Sequence, residues 1–116
     1  MAIQTDKVRA GEFLLSEGNG SISRETVMVA AALMAGTVLG QVTADGTYNK
    51  LDLDASDGTE NAAAILYAVS EADQKQVAVV RLAEVQDSKL TWPDGMTDLQ
   101  KDAALAELAE KYVIVR

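Results

Sequence analysis

The sequence predicts a mostly β domain with one short α-helix, placed behind a polar lead, and three features carry that expectation. Short runs rich in β-branched and aliphatic residues recur along the chain, at Thr26-Val27-Met28-Val29, Thr37-Val38-Leu39 and Gln76–Leu82. Asp45-Gly46 and Asp57-Gly58 are tight-turn dipeptides set between such runs. A single helix-start pattern, Thr97 followed by Gln100 at the spacing of a capping box, stands near the C-terminal end.

Residues 1–23 form the lead, with a turn signal at Gly18-Asn19-Gly20-Ser21 and one apolar cluster, Phe13-Leu14-Leu15. On the residues alone this segment reads as a frayed terminus with a small anchor. The functional alternative is an arm that orders on a partner, for example by adding a strand to a sheet edge. A single domain, 24–116, follows.

In that domain Thr26–Val29 is a strand, Ala30–Ala35 a loop too short for a confident helix, and Thr37–Leu39 a strand bent by Gly36 and Gly40. Asp45-Gly46 closes a hairpin onto Tyr48–Leu53, where Leu51 and Leu53 alternate with Lys50 and Asp52. The apolar stretch Ala62–Val69 predicts a central strand. Its alanines Ala62, Ala63 and Ala64 leave so little side-chain volume that something must pack close to that backbone. Gln76–Leu82 is the next strand, reached through the polar loop Ser70–Lys75. The helix is expected over 97–111, with Asp98 favourable in its first turn and Ala104, Leu105, Leu108 and Tyr112 on one face. Val113-Ile114-Val115 should return as a last strand.

A chain of 116 residues fits one domain, which buries roughly 65% of its unfolded surface. With only 4% aromatic residues the core must be small aliphatic groups, so the chain gains from burying further surface in an oligomer. Ten basic against eighteen acidic residues give a net charge of −8, which opposes binding to the nucleic-acid backbone. No basic run addresses an anionic membrane, and VMVAAALMA (27–35) is about half of the roughly 20 residues a spanning helix needs. The opening MAIQTDKVRAGE lacks the layout of a secretory signal, so synthesis and assembly in a cytoplasm are expected.

Cysteine and histidine are both absent, which removes disulfides, thiolate metal sites and the serine–histidine and cysteine–histidine mechanisms. No metal and no cofactor is expected. A calcium loop opening at Asp52 fails at its sixth and twelfth places, which hold Asp57 and Ala63. Asp52, Asp54, Asp57 and Glu60 could pair as acid and base in a carboxylate-based hydrolase, yet solvated turn carboxylates explain them more simply. Gly36 and Gly40 lack the Gly-Lys-Ser/Thr ending of a phosphate loop. In Trp92-Pro93-Asp94-Gly95, Pro93 fixes a turn, Gly95 permits positive φ and the single Trp covers apolar surface, as a core plug or a subunit-interface plug. Met28, Met34 and Met96 are scattered and read as core fillers.

Five segments in order, FLLSEGNGSISRE (13–25), AGTVLGQVT (35–43), DGTENAAAILYAV (57–69), LTWPDGMT (90–97) and the helical run ending in YVIVR (112–116), give the chain a wider likeness. In sequence and spacing they resemble the head decoration protein D family of tailed bacteriophages, lambda-type capsid-stabilising proteins. The resemblance implies a homotrimer with a bent ribbon of β-clip type, or a small incomplete barrel. Such a trimer sits on the outer face of the expanded head at local three-fold positions and clamps the major capsid protein against DNA pressure. It implies a non-enzyme of the virion surface, assembled in the host cytoplasm, without nucleic-acid or membrane partners. It turns the lead into a capsid-contact arm anchored by Phe13, Leu14 and Leu15, and assigns Ile65, Tyr67, Trp92 and Pro93 to the trimer interface or a core plug. One departure is the uninterrupted apolar stretch Val27–Ala35. The rival reading is a small β-barrel adaptor or binding module contacting another protein or a glycan.

Overall fold

Three segments of strand alternate their apolar side chains between two cores, and that alternation organises the molecule. The computed structural model describes residues 9–116. Its elements are β1 (Leu14–Glu17), the one-turn α1 (Gly20–Ser23), β2 (Arg24–Val29), β3 (Val38–Gln41), β4 (Tyr48–Lys50), β5 (Ala64–Leu66), β6 (Gln74–Val79), β7 (Ala83–Val85), a 3-10 turn at Asp87–Lys89, α2 (Asp98–Glu110) and β8 (Val113–Val115). Strands β2-β4-β3-β5-β6 close into a barrel, and β1-β7-β8 form a separate sheet.

Successive residues of a strand point to opposite faces. Leu39, Ala64, Leu66, Ala78 and Val80 accordingly fill the barrel together with Val27 and Val29. Their neighbours Val38, Ile65 and Val79 point the other way, into a second core shared with Phe13, Val85, Ala104, Leu108 and Val113. Strands β3 and β5 and the end of β6, Val77–Val79, are thus covered on both faces, which is why these stretches are near-continuously apolar rather than alternating, whereas β6 opens on the polar Gln74-Lys75-Gln76. Helix α2 and the small sheet supply the second cover. Leu108, 0% exposed, contributes about 2 kcal/mol of burial there.

The expected mostly β architecture with one main helix is what the chain forms, with a barrel that closes. The hairpin turns at Asp45-Gly46, where Val42 N donates to Thr47 O at 2.7 Å. The helix carries its full capping box: Gln100 N donates to Thr97 Oγ1 at 3.1 Å and Thr97 N to Gln100 Oε1 at 2.9 Å. The last strand, β8, returns parallel to β7.

Several expectations needed correction. The strand at Tyr48–Leu53 stops at Lys50, although Leu51 is buried and Asp52 exposed as the alternation required. Only Ala64–Leu66 of Ala62–Val69 is strand; it is central, between β3 and β6. The strand expected at Gln76–Leu82 begins at Gln74 and ends at Val79, because Leu82 adopts φ 55° and turns the chain into the unforeseen β7. Tyr112, assigned to the buried face of the helix, lies beyond it at φ 61° and is 68% exposed. Gly40 does not bend β3. It lies within the strand opposite Asn49, and a Cβ on it would stand 2.5 Å from the Thr59 Cα, the close backbone approach that the small residues of this region permit.

Candidate functional site

The lead was assigned a capsid-contact role, and its described part begins at Arg9; residues 1–8 lie outside the described residues. Gly11 N donates to Tyr67 O at 2.9 Å, and Phe13 follows at 0% exposure with its ring edge-on to Tyr67, centroids 6.5 Å apart. Phe13 is therefore core and has no surface to offer a capsid. Leu14 is half-buried and opposite Val85, while Leu15 is 50% exposed. The segment 14–17 is already paired with β7 in the isolated chain, so of the three named anchors only Leu15 presents substantial surface.

Tyr67 joins several partners: Phe13 packs on it, and the Arg24 guanidinium stacks over its ring at 4.1 Å. Glu17 accepts from Arg24 Nε at 3.1 Å, and this carboxylate holds the guanidinium pKa above its ordinary value. Ile65 is 0% exposed and belongs to the second core. Its side chain is enclosed within the chain and presents no surface to a partner.

The Trp92 loop is built differently. Trp92 and Pro93 are half-buried, and the indole packs against the second core. Trp92 Nε1 donates to Asp87 Oδ1 at 2.7 Å, Lys101 Nζ donates to Asp87 Oδ2 at 2.7 Å, and the same ammonium lies 5.3 Å from the indole centroid. The Lys101 ammonium and, secondarily, the indole N–H hold the Asp87 carboxyl below the ordinary carboxylate range, against the opposing effect of burial. Gly95 takes φ 72°, as the turn required. Between this loop and the segment Ala32–Met34 lies an apolar hollow of about 200 Å³, with Thr37, Val38, Lys50 and Leu51 in its lining. Met34, read as a core filler, is 39% exposed at this hollow, and Met28 is 36% exposed. Trp92 and Pro93 stand out in the sequence, but nothing in the residue types marks the rest of the hollow, because its walls come from three distant parts of the chain.

The acidic string serves turns. Asp57 Oδ1 accepts from Thr59 Oγ1 and N, and those bonds hold its carboxyl below the ordinary range, opposite to the shift a general acid needs. Asp52 Oδ1 accepts from Asp54 N at 3.1 Å and Glu60 Oε1 from Gly58 N at 2.8 Å. Among the described residues no group of three or more acidic side chains is placed to hold a metal ion, and no helix is long and apolar enough to cross a membrane.

The described residues form a barrel with a covering helix, acidic side chains bonded into turns and an apolar hollow beside the Trp92 loop. The family model of the Bacteriophage lambda head decoration protein D matches residues 3–113, and the chain belongs to that family. It is accordingly a phage head decoration protein, of a structural class that associates with the capsid of the virion and is not a class of enzymes. Comparison with curated proteins gives no significant match.

Proposed function

We propose that the protein forms trimers on the outer surface of the expanded head, at local three-fold positions, and there clamps neighbouring subunits of the major capsid protein against the pressure of packaged DNA, after assembly in the host cytoplasm. The carrying observation is the family match, which takes in the lead from residue 3 as well as the folded domain. The mechanism is linkage: a protein that binds only the expanded lattice stabilises that state by its binding free energy. Three lead segments per trimer raise avidity through high effective concentration.

The capsid-contact arm comprises the residues ahead of Gly11, with Leu15 at its base. Phe13 acts from within the core, fixing where the arm leaves the domain. The net charge of −8 suits a protein outside a DNA-filled shell.

The test uses purified protein and heads in expanded and unexpanded form. Deletion of residues 1–8 spares Gly11, Phe13 and β1, and should leave a folded protein that has lost binding to expanded heads. Deletion of 1–16 is unsuitable, since it removes Phe13 from the core. Equal binding to both forms of the head, or wild-type affinity after the 1–8 deletion, would overturn the proposal.

A further inference from the structure

We propose that Asp94-Gly95, in the turn between Trp92 and the capping box of α2, is a site of spontaneous covalent modification, where the folded chain converts aspartate to isoaspartate through a succinimide, while two identical dipeptides elsewhere are held against the same reaction.

The chain contains three Asp-Gly pairs, at 45–46, 57–58 and 94–95. Each carries the groups the reaction needs as chain neighbours, and glycine puts no Cβ in the way of its own nitrogen. The glycine N attacks Cγ of the preceding side chain in its carboxylic acid form. The N–Cγ bond forms, the Cγ–OH bond breaks, and the hydroxyl leaves with the amide proton as water. A second water then opens the five-membered imide. Addition at Cγ restores aspartate, whereas addition at the α-carbonyl leaves the main chain running through Cβ and Cγ, one carbon longer. Water is the only co-reactant.

By residue type the three pairs are equivalent, and the fold separates them. Ring closure turns the side chain onto the next nitrogen and rotates the peptide plane, so hydrogen bonds at either group must break first. At the first pair Asp45 Oδ1 accepts from Thr47 N at 3.0 Å and from Thr47 Oγ1 at 2.8 Å, and Gly46 N donates to Val42 O at 2.8 Å. At the second, Asp57 Oδ1 accepts from Thr59 N at 3.0 Å and from Thr59 Oγ1 at 2.5 Å, and Gly58 N donates to Glu60 Oε1 at 2.8 Å. Gly58 is also packed against the backbone of Gln41. The bonds from Thr47 and Thr59 hold both carboxyls below the ordinary range, which makes the reactive acid form scarcer there.

Asp94-Gly95 lacks these restraints. Both residues are exposed, a Cβ on Gly95 would meet nothing within 4 Å, and among the described residues no hydrogen bond engages the Asp94 carboxylate or the Gly95 N–H. The two ends of the turn are fixed, by the bond from Trp92 to Asp87 and by Thr97 at the start of α2, so the rearrangement stays local and the open space around Gly95 receives the added carbon. In a virion, which makes no new protein, the product accumulates with the age of the particle.

The experiment incubates the full chain at mildly acid pH and physiological temperature, once folded and once in concentrated denaturant, and follows isoaspartate by tryptic mapping. Cleavage after lysine and arginine puts the three pairs on separate peptides, 25–50, 51–75 and 90–101, where the isomers keep their mass but separate on chromatography and fragmentation locates the residue. Deamidation of asparagine changes the mass and is counted apart. In denaturant the three pairs should react at similar rates. Folding should slow Asp45 and Asp57 by about tenfold or more, because bonds at both groups must break, and Asp94 by less than about threefold. Asp94→Glu, which would need a six-membered ring, should remove the product from 90–101 with far-UV circular dichroism unchanged. Isoaspartate that arises first at 45 or 57 in the folded chain overturns the proposal, as does a suppression at Asp94 equal to theirs. So does product in 90–101 that persists in Asp94→Glu, which would place it at Asp98.

Discussion

Replacing Phe13 with Ala tests where the lead ends and the domain begins. The ring is 0% exposed and edge-on to Tyr67 at 6.5 Å. A buried aromatic side chain removes about 150–250 Å² from water, worth about 4–6 kcal/mol at 25 cal/mol/Å², and Ala retains a minor part of that. The expected loss is therefore about 3–5 kcal/mol, a large fraction of the roughly 5–15 kcal/mol that stabilises such a domain. For a urea slope of about 2 kcal/mol/M the unfolding midpoint falls by about 2 M. Leu15→Ala, two residues on and 50% exposed, should cost under about 1 kcal/mol. Both are measured at one protein concentration, since association shifts apparent stability. A Phe13→Ala midpoint within about 0.5 M of wild type, at equal slope, would refute the claim that Phe13 is core.

Gly40→Ala should destabilise by about 1–3 kcal/mol in the same assay, because the new Cβ meets Thr59 backbone at 2.5 Å and either β3 or the turn at Thr59 must move; an unchanged midpoint would show that the approach is not tight. Thr97→Ala removes the acceptor for Gln100 N and should cost about 1 kcal/mol, with Thr97→Ser restoring most of it. Acid should destabilise the protein with a definite sign. Asp45, Asp57 and Asp87 have carboxyl pKa values lowered in the fold, by hydrogen bonds from Thr47, from Thr59 and from Lys101 respectively. The unfolded chain then binds protons more readily, so this stability is complete above about pH 4 and is lost as pH falls through the folded values. The urea midpoint should change little from pH 7 to 5 on their account and drop below about pH 4, with a shallower drop in Asp87→Asn; an acid drop of the same size in that variant would remove Asp87 from the explanation.

The legible parts of this fold are those decided within a few residues. The capping box of Thr97 and Gln100 and the Asp45-Gly46 turn satisfy backbone groups locally, so residue type alone marks them. Strand ends were illegible because partners set them: β5 ends at Leu66, where its pairing with β6 at Ala78 ends. The short β7 exists because Leu82 turns at positive φ, a conformation that leucine does not advertise. The burial of Phe13 is illegible for the same reason. Its neighbour Leu14 pairs with Val85, far along the chain, and a cluster of three apolar residues in a polar lead gives no hint of so distant a partner. At the hollow, Trp92 and Pro93 stand out in the sequence, but the facing wall lies in Ala30–Ala35, which reads as a loop with Met34 as a core filler, even though Ala32 and Met34 face solvent.

The segment Val85–Asp87 connects the base of the lead, the last strand and the Trp92 loop. Because β1 runs antiparallel and β8 parallel to β7, Leu14 and Val115 both flank Val85, about 10 Å apart at the same end of the sheet. Gln86 N donates to Phe13 O at 2.7 Å, Asp87 N donates to Arg116 O at 2.9 Å, and the Asp87 carboxylate holds Trp92. The base of the lead, the last residue and one wall of the hollow thus rest on one short stretch of backbone. Such a connection fixes relative positions, but it transmits a signal only if it has two arrangements of similar energy. Val85 is fully buried and paired on both sides, which favours a single arrangement. Lead and Trp92 loop should then act independently. Removing residues 1–8 should leave the mass in solution unchanged. A deletion of 1–8 that dissociates the oligomer would show that the lead itself belongs to the subunit contact.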